Sequence, residues 1–347
     1  MKQTRITSAI IGAGAPNIAT NHHLPASLLA PSVELVALAD LCEGVLEYAA
    51  RYRLRACRSL EEVLADPAIE MVQIATPDQF HCRQALAALA AGKAVLLQKP
   101  PCLSRPELAL LAEAAGRYPG RLKIMLNNRA TPLVRTIKSL IDAGAIGEVR
   151  MLSLQYRGRR FPIANPASFY FSAASGGVWM HNGLHYLDEM AFLCGRMPVS
   201  VRAFAARNAE GRPEFLGEGD NYCSAFYDFD GCDVRLEYNT MLLGDGLPGG
   251  IKRSFIGTEG EIRVEYGSNE IKLYTRSDSA GRTVPLLPAV FAPDDPAVDS
   301  FAIGIEDFAM QLKSGIGRSP GIAGSLKLTE ALLAAAESAA NGKEILL

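Results

Sequence analysis

The chain has 347 residues, of which 49% are hydrophobic and 21% are charged, and its formal net charge is −2. This balance is typical of a soluble globular protein of about two domains, and it gives no reason to expect a nucleic acid or a membrane as partner. The seven cysteines are scattered, and the N-terminal apolar stretch is too short for a signal or membrane segment. We therefore expect a cytoplasmic protein with reduced thiols.

The first predicted element is a buried strand over Ile6–Ile11, followed by a glycine turn and a helix that ends near residue 29. Gly12 permits the tight turn, and Gly14 lets a pyrophosphate approach the backbone at the helix N-terminus. Asn17 stands where the usual dinucleotide fingerprint has its third glycine, so this motif is a weak signal by itself.

A second predicted strand, Val33–Ala39, ends in Asp40. An acidic residue at this place can accept hydrogen bonds from both ribose hydroxyls and repels a 2′-phosphate. No Arg or Lys follows at positions 41 and 42, so the pattern favours NAD over NADP. The alternative is that Asp40 only caps the helix predicted over residues 43–53.

The alternation of strands and helices continues to residue 126. Further strands are predicted at Ile69–Ala75, Ala94–Leu97 and Leu122–Leu126, and helices at Ser59–Ala65, Gln79–Ala91 and Glu107–Arg117. This order predicts a doubly wound parallel sheet, which binds ligands at the carboxyl ends of its strands. Thr76, Pro77, Lys99 and Asn127 fall at those ends, and His81 lies in the helix that follows one of them.

Lys99 lies between a strand end and two prolines, Pro100 and Pro101, which restrict its backbone. Its ammonium can donate a hydrogen bond to a substrate hydroxyl and stabilise a developing alkoxide. The alternative is a lysine that ends a strand and extends its charge into water.

The pattern changes after Arg129. A helix is predicted over Pro132–Ala143, then a strand over Val149–Arg157, a polar and aromatic loop over 158–175 and a helix that ends near Cys194. Six strands follow (199–207, 221–228, 233–242, 251–257, 260–266 and 270–275), with closing helices over 300–314 and 324–341. We predict a dinucleotide domain over 1–127 and an α+β domain over 128–347, whose open, mostly antiparallel sheet carries helices on one face.

The helix after the loop carries His181, His185 and Asp188 on one side, because residues three and four apart are neighbours on a helix surface. Met180, Leu184, Leu187 and Ala191 form an adjacent apolar stripe that can be buried. The two histidines also have plausible metal-ligand spacing. Asn182 replaces the glutamate that an H-E-x-x-H protease requires, which excludes that activity.

Several ordered motifs resemble the Gfo/Idh/MocA family of oxidoreductases (glucose–fructose oxidoreductase, inositol dehydrogenase and rhizopine-catabolism proteins). They are G-A-G at 12–14, A-T-P-D-x-x-H at 75–81, A-G-K-x-V-L-x-x-K-P ending at Pro100, N-N-R at 127–129, G-x-I-G-E-V at 144–149 and G-G-x-x-x-x-x-G-x-H-x-x-D at 176–188. The resemblance covers nearly the whole chain. It implies a Rossmann domain, a sheet domain that often oligomerises through its exposed face, and NAD(P)-linked redox chemistry on sugars and cyclitols.

The residue patterns and the resemblance together give expected roles for individual residues. The resemblance matches Lys99 to the lysine of the family's E-K-P motif and His185 to its acid/base histidine. Lys99, His185 and His181 are the expected catalytic residues, with His185 as acid/base and Lys99 stabilising the reacting oxygen. The expected cofactor-binding residues are Gly12, Gly14, Ala15, Asn17, Asp40, Thr76, Pro77, His81, Lys99 and Asn127. The expected substrate-binding residues are Lys99, Arg129, Arg159, Arg160, His181, Asn182 and His185. No metal is expected.

Two positions depart from the family pattern, which usually has Glu before the lysine and Asp four residues before the histidine. Here they are Gln98 and His181, so two carboxylates are missing near the reacting centre. One hypothesis is a more electropositive site for an anionic substrate such as a sugar acid. The alternative is that His181 binds a neutral sugar hydroxyl while Arg159 and Arg160 face solvent.

The sequence therefore predicts an oxidoreductase that transfers a hydride between NAD and a sugar, cyclitol or sugar acid, as a homodimer or homotetramer assembled through its C-terminal sheet. Two other functions stay open. One is the use of tightly bound NAD for chemistry without net redox change, such as elimination or glycoside cleavage. The other is a non-catalytic NAD-binding regulator.

Overall fold

The computed structural model describes residues 5–157, 177–206, 222–239, 249–315 and 321–347. These residues form two compact units, each with its own sheet. Unit 1 comprises Met1–Thr131 and Pro288–Leu326, and unit 2 comprises Pro132–Leu287 and Lys327–Leu347.

Unit 1 is built on a six-stranded sheet in the order β3-β2-β1-β4-β5-β6, and all its pairings are parallel. The strands are β1 (Ile6–Ile11), β2 (Val33–Ala39), β3 (Arg55–Cys57), β4 (Met71–Ile74), β5 (Ala94–Leu97) and β6 (Leu122–Ile124). Every residue of β4 and β5 is buried, as expected for strands covered on both faces. The strand order is that of a Rossmann fold, which confirms the predicted doubly wound sheet.

The helices of unit 1 follow their strands as the alternation predicts. They are α1 (Leu24–Leu29), α2 (Gly44–Tyr52), α3 (Leu60–Ala65), α4 (His81–Ala90) and α5 (Arg105–Arg117). Unit 1 also contains α8 (Pro296–Ser314), which comes from a later part of the chain. A short π-helix, Ala19–His23, precedes α1. The Ser59 side chain accepts a hydrogen bond from the Glu62 amide at 3.2 Å, so α3 begins with a side-chain cap at the serine that the sequence indicates.

Helix α8 does not follow the predicted domain division. The sequence analysis places everything after residue 127 in the second domain, whereas the structure groups Pro288–Leu326 with the first. The physical reason is an apolar face of α8: Phe301, Ile305 and Phe308 are buried in one core cluster with Met71 and Leu96 of the parallel sheet.

Unit 2 contains a nine-stranded sheet in the order β14-β13-β12-β11-β7-β10-β9-β8-β15. Its strands are β7 (Val149–Arg157), β8 (Ser200–Ala206), β9 (Tyr222–Asp228), β10 (Asp233–Asn239), β11 (Gly250–Gly257), β12 (Gly260–Val264), β13 (Ile271–Thr275), β14 (Asp278–Val284) and β15 (Ile345–Leu346). Only β7 and β10 pair in parallel, which confirms the predicted mostly antiparallel sheet. The sequence analysis did not predict β3, β14 or β15.

Two glycine-containing turns connect neighbouring antiparallel strands of this sheet. Asp230 and Gly231 connect β9 to β10 with φ of 53° and 82°, the left-handed conformation that a tight two-residue turn requires. Strands β11 and β12 pair around Glu259.

The helices of unit 2 are α6 (Pro132–Asp142), α7 (Gly177–Cys194) and α9 (Ile322–Asn341), the last of which begins in unit 1. Helices α7 and α9 pack closely: the Trp179 indole donates to the Leu332 carbonyl at 3.3 Å, and a Cβ at Gly183 would lie 2.8 Å from the Leu332 side chain. The sheet also exposes large apolar side chains, among them Phe204 at 61% and Phe226 at 49%. Within the described ranges, no helix is long and apolar enough to cross a membrane.

Candidate functional site

The loop after β1 has a backbone shape that only glycine can supply. Gly12 has φ of +98°, and a Cβ there would lie 2.7 Å from the Ala75 carbonyl oxygen. A Cβ at Gly14 would lie 2.5 Å from the Asp40 carboxyl carbon. The loop is therefore a backbone cradle at the carboxyl ends of β1 and β2, which fits the pyrophosphate and ribose of a dinucleotide.

Asp40 is part of this cradle as well as a candidate ribose acceptor. Its Oδ2 accepts a hydrogen bond from the Gly14 amide and its Oδ1 accepts one from the Cys42 amide, each at 2.8 Å. Because each carboxylate oxygen can accept more than one hydrogen bond, the residue can fix the loop and still accept ribose hydroxyls.

The structure brings a cation to this corner that the sequence analysis missed. Arg58 donates from Nη2 to the Leu41 carbonyl at 2.9 Å, and its Nη1 lies 3.8 Å from Glu43. The cause is β3, which pairs in parallel with β2 so that Arg58 leaves the sheet beside Asp40. Positions 41 and 42 carry no cation, and the sequence would indicate Arg58 only through the short strand Arg55–Cys57 that precedes it.

Asn17 occupies the place of the third fingerprint glycine and locks the loop. Its Nδ2 donates to the Gly12 carbonyl at 2.8 Å, and its Oδ1 accepts from the Ala19 amide at 2.8 Å. The Thr20 hydroxyl donates to the Ala15 carbonyl at 2.9 Å. The substitution of glycine by asparagine therefore retains a defined loop, held by side-chain hydrogen bonds.

His81 joins two strand-end loops. Its Nδ1 lies 2.7 Å from the Pro100 carbonyl and its Nε2 lies 2.7 Å from the Thr76 carbonyl, and the ring is 1% exposed. Burial lowers the pKa of His81, and the nearby Asp78 carboxylate opposes that shift. A neutral imidazole has one N–H and donates to one of these two carbonyls at a time, so His81 bridges the loops in which Thr76, Pro77 and Lys99 lie through one hydrogen bond and one close contact.

Lys99 lies two residues after the end of β5 and is 8% exposed. Burial lowers the pKa of its amine to about 8, while the Asp78 carboxylate acts in the opposite direction. Its backbone N–H donates to the side-chain oxygen of Gln98 at 3.2 Å. A buried amine with a pKa near neutrality can both donate a hydrogen bond and exchange a proton with bound groups.

Asn127 and Arg129 lie in a short 3₁₀ helix, Asn127–Ala130, in the same unit. The Asn127 amide nitrogen donates to the Ser300 hydroxyl of α8 at 3.0 Å. This contact attaches the segment after β6 to α8, and Arg129 is half-buried beside it in the chain.

In unit 2, α7 presents His181, Asn182 and His185 as half-buried residues, while Asp188 is fully buried. The predicted apolar stripe is also confirmed, because Met180, Leu184, Leu187 and Ala191 are all at most 8% exposed. Helical spacing thus separates a face with accessible imidazoles from a face that packs on the sheet.

Asn182 is held by an aromatic cluster on the sheet. Its Nδ2 donates to the Tyr238 hydroxyl at 2.7 Å, and the Tyr238 ring stacks on Tyr156 with centroids 4.4 Å apart. Tyr186 of α7 lies against the same ring at 5.7 Å. Burial raises the pKa of Tyr238 well above its usual value, so its hydroxyl keeps its proton.

Helix α7 is also held by a buried ion pair. Arg253 of β11 donates to both carboxylate oxygens of Glu189, at 2.5 Å from Nε and 3.1 Å from Nη2, and the two side chains are 8% and 0% exposed. Burial of the guanidinium acts to lower the pKa of Arg253, but the Glu189 carboxylate outweighs this effect, and the pKa lies above its usual value. The pair fixes the helix one turn beyond His185.

Among the residues that the structure describes, no group of three His, Cys, Asp or Glu side chains is arranged to hold a metal ion. His181, His185 and Asp188 are not among such groups. Arg159 and Arg160 lie outside the described residues.

The chain matches two family models. Residues 6–124 match the model described as an oxidoreductase family with an NAD-binding Rossmann fold, and residues 134–263 match the GFO/IDH/MocA C-terminal domain. Together the two matches span most of both units.

Individual proteins agree with these matches. Inositol 2-dehydrogenase of Rhizobium meliloti (strain 1021) is 31% identical over 172 residues, 50% of this chain and 51% of the relative. The rhizopine catabolism protein MocA of Rhizobium meliloti is 26% identical over 204 residues, 59% of this chain and 62% of the relative. The matched regions thus span only about half to three fifths of these relatives' lengths.

A solved structure described as levoglucosan dehydrogenase in complex with NADH shares the fold. It has a TM-score of 0.86 at 23% identity and covers 99% of each chain. With a Rossmann sheet that carries a glycine cradle, a separate mostly antiparallel sheet, and both family models matched in order, the chain belongs to the Gfo/Idh/MocA family of oxidoreductases.

Proposed function

We propose that this protein is an NAD-dependent dehydrogenase that interconverts a hydroxyl and a carbonyl on a sugar, cyclitol or sugar acid. The observation that carries the proposal is Lys99, a buried amine at a strand end of the glycine-cradle sheet, with a pKa lowered to about 8. The names of the relatives, inositol 2-dehydrogenase and levoglucosan dehydrogenase, support the substrate class.

The residues of the cradle would hold the cofactor. Gly12 and Gly14 leave room for the pyrophosphate, and Asp40 accepts hydrogen bonds from the ribose hydroxyls. When bound, the nicotinamide supplies the hydride acceptor or donor. Asp40 favours NAD because a carboxylate repels a 2′-phosphate, while Arg58 beside it reduces that repulsion.

The proposed proton chemistry belongs to Lys99 and His185. His185 takes the proton of the substrate hydroxyl during oxidation and returns it during reduction. Lys99 donates a hydrogen bond to the same oxygen and stabilises its developing negative charge. His181 and Asn182 bind neighbouring hydroxyl groups, and Arg129, Arg159 and Arg160 bind an acidic group where the substrate carries one.

Two substitutions test the proposed roles of His185 and Lys99. His185→Ala should lower kcat by at least about a hundredfold while NADH affinity changes less than about threefold, because a general base contributes to the chemical step alone. Lys99→Met should lower turnover comparably. Equal losses of turnover and NADH affinity in His185→Ala would contradict its role as acid/base.

The first experiment is titration of the purified protein with NADH and with NADPH, followed by nicotinamide fluorescence. Tighter binding of NADH than of NADPH would support the role of Asp40 as hydrogen-bond acceptor for the ribose hydroxyls. A panel of neutral sugars, cyclitols and sugar acids with NAD then defines the substrate. Turnover of neutral sugars alone would contradict the anionic-substrate hypothesis.

We also propose that unit 2 mediates self-association through the exposed face of its sheet. On that face the Arg235 guanidinium lies 4.8 Å from the Phe226 ring centre, and Phe204 packs edge-to-face with Tyr222. Exposed aromatic and arginine side chains are enriched in protein interfaces. Phe204→Ser with Phe226→Ser should convert an oligomer to a monomer in light scattering, and an unchanged mass would contradict the proposal.

A further inference from the structure

A chain of buried polar side chains runs from the backbone of Lys99 into the core of unit 1. Gln98 accepts a hydrogen bond from the Lys99 N–H at 3.2 Å, and its Nε2 lies 2.8 Å from His23 Nε2. His23 Nδ1 lies 2.8 Å from Gln73 Oε1. The side chains of Gln98, His23 and Gln73 are each at most 3% exposed.

The chain ends on two buried serines. Gln73 Nε2 donates to the Ser27 hydroxyl at 2.8 Å and to the Ser8 hydroxyl at 3.1 Å. Ser8 and Ser27 are at most 1% exposed. Each of these contacts has the length of a normal hydrogen bond, so the core accommodates five polar side chains in one connected network.

The Lys99 backbone fixes the direction of every bond in this network. A backbone N–H can only donate, so the Gln98 oxygen must face it and the Gln98 nitrogen must face His23. His23 Nε2 must then accept, which places the ring proton on Nδ1, where it donates to Gln73. The network is thus satisfied only when His23 is a neutral imidazole with its proton on Nδ1.

The environment of His23 agrees with a neutral ring. Burial lowers the pKa of His23 to about 4, partly opposed by the bond to Gln73, and the neighbouring His22 lowers it further. His22 itself faces Asp295, and both imidazoles pack against the Phe301 ring. At neutral pH the network therefore carries no charge.

A glutamate at position 98 does not fit this arrangement. A carboxylate has no hydrogen to donate to the His23 lone pair, so it would require the Nε2–H tautomer of His23 with a flipped Gln73 amide, or a second proton on the ring. The glutamine at this position, which departs from the family pattern, is thus matched to His23 in hydrogen-bonding character.

We propose that Gln98 and His23 are positioning residues for Lys99, which fix its strand-end backbone through an uncharged hydrogen-bond network. This inference rests on the proposed function, in which Lys99 contacts the reacting oxygen. Among the described residues, Asp78 favours the ammonium of Lys99, and His81 of α4 also interacts with it electrostatically. A carboxylate at position 98 would add a second anion, whereas the amide leaves the proton affinity of Lys99 low.

The test measures the pKa of Lys99 directly, by competitive labelling of its amine with acetic anhydride across pH and mass spectrometry of the Lys99 peptide. Gln98→Glu should raise the pKa of Lys99 by about one unit, because it places an anion against the backbone nitrogen of the same residue. Gln98→Met retains the size of the side chain but removes the acceptor, and it should increase Lys99 labelling several-fold through loss of backbone order.

A matched control is Asp307→Asn, which breaks an ion pair with Lys123 elsewhere in unit 1. It should leave the pKa and the labelling rate of Lys99 unchanged. In a double-mutant cycle, His23→Met with Gln98→Met should shift Lys99 labelling by about as much as either single change, because the two residues act as one unit. Unchanged Lys99 labelling in Gln98→Glu and Gln98→Met would overturn the proposal.

One measurement requires no variant. Nitrogen NMR of the imidazoles in the wild-type protein should show His23 as the neutral Nδ1–H tautomer down to about pH 5, since its pKa is about 4. An imidazolium or the Nε2–H tautomer at pH 7 would overturn the proposal. A different result would contradict the proposed function and not the positioning role. In that case Lys99→Met would retain full turnover while His23 has the expected tautomer.

Discussion

The strand-end loops of unit 1 and helix α7 of unit 2 hold their candidate site residues by different means. In the loops, position is set largely by the backbone: Gly12 and Gly14 have no space for a Cβ, and His81 contacts two carbonyls. In α7, position is set by side-chain pairs with partners far along the chain. Glu189 and Arg253 are 64 residues apart, and Asn182 and Tyr238 are 56 apart.

This difference determines how each region responds to substitution. A loop whose shape is set by its backbone changes shape when a substitution alters its φ angles or adds an atom where the backbone is in close contact. The expected result is a lower affinity for the ligand that the loop contacts. A helix held by buried polar pairs fails when one partner is removed, because the other then remains buried without compensation. The two regions can thus be separated by variants that change stability and variants that change cofactor affinity.

The largest expected effect comes from the ion pair beneath α7. Arg253→Met leaves the Glu189 carboxylate buried without its partner and should lower the free energy of unfolding by about 3–5 kcal/mol. Thermal unfolding measures the loss as a lower melting temperature. NADH affinity should change little at temperatures where the variant is folded.

The control for this variant is Arg263→Met, which removes the partner of Glu261 on the neighbouring strand β12. Arg263 is about half exposed, and an exposed pair contributes about 0–1 kcal/mol. A loss no larger in Arg253→Met than in Arg263→Met would contradict the role of the buried pair. Restoration of part of the stability by Glu189→Met in the Arg253→Met background would support it.

The glycine cradle should give the opposite pattern. Gly12→Ala forces a left-handed backbone on alanine and places its Cβ 2.7 Å from the Ala75 carbonyl, so the loop must move. We expect NADH affinity to fall by more than about tenfold, which corresponds to about 1.4 kcal/mol. Nicotinamide fluorescence measures this loss.

Gly92→Ala is the matched control, because Gly92 also has a positive φ, of 78°, but a Cβ there meets nothing within 4 Å. It should cost about 1–2 kcal/mol of stability through the backbone alone. It should leave NADH affinity unchanged. Equal effects of the two variants on affinity would show that the close approach at Gly12 has no part in binding.

The same difference explains how much of the structure was predictable. The parallel sheet could be predicted because its strands are short apolar runs separated by helices. Gly12, Asp40 and Lys99 lie at the ends of these runs. The apolar stripe of α7 was readable from helical spacing. These features depend on local pattern, which one sequence contains.

Features that depend on distant partners were not predicted. The placement of Arg58 beside Asp40 requires the three-residue strand β3, which is too short to show a period. The polar network of His23 joins positions 50 and 75 residues apart. Helix α8 was assigned to the second domain because sequence order gives no sign that its apolar face packs on the first sheet.

A prediction of intermediate size concerns the choice of cofactor. Asp40→Ala removes the anion that repels a 2′-phosphate, and Arg58 then attracts that phosphate. The affinity for NADPH relative to NADH should rise by about tenfold or more. Both affinities are read by nicotinamide fluorescence.

The contribution of Arg58 is isolated by a second change. Arg58→Met in the Asp40→Ala background should remove most of the gain in NADPH affinity. Arg55→Met is the control, since Arg55 lies three residues before Arg58 and pairs instead with Asp66, at 2.6 Å. A gain that persists without Arg58 would assign the discrimination to Asp40 alone.

The smallest expected effect is at the aromatic cluster that holds Asn182. Tyr238→Phe removes one hydroxyl and retains the stacking on Tyr156, so it should cost about 1 kcal/mol of stability. Tyr227→Phe removes a comparable bond, from its hydroxyl to the Ala331 carbonyl at 3.0 Å, and should cost about the same. Only Tyr238→Phe frees a side chain on the histidine face of α7, so it alone should raise KM for the substrate that the panel identifies. If both variants raise KM equally, the effect is a general loosening of unit 2 and Asn182 has no separate part in substrate binding.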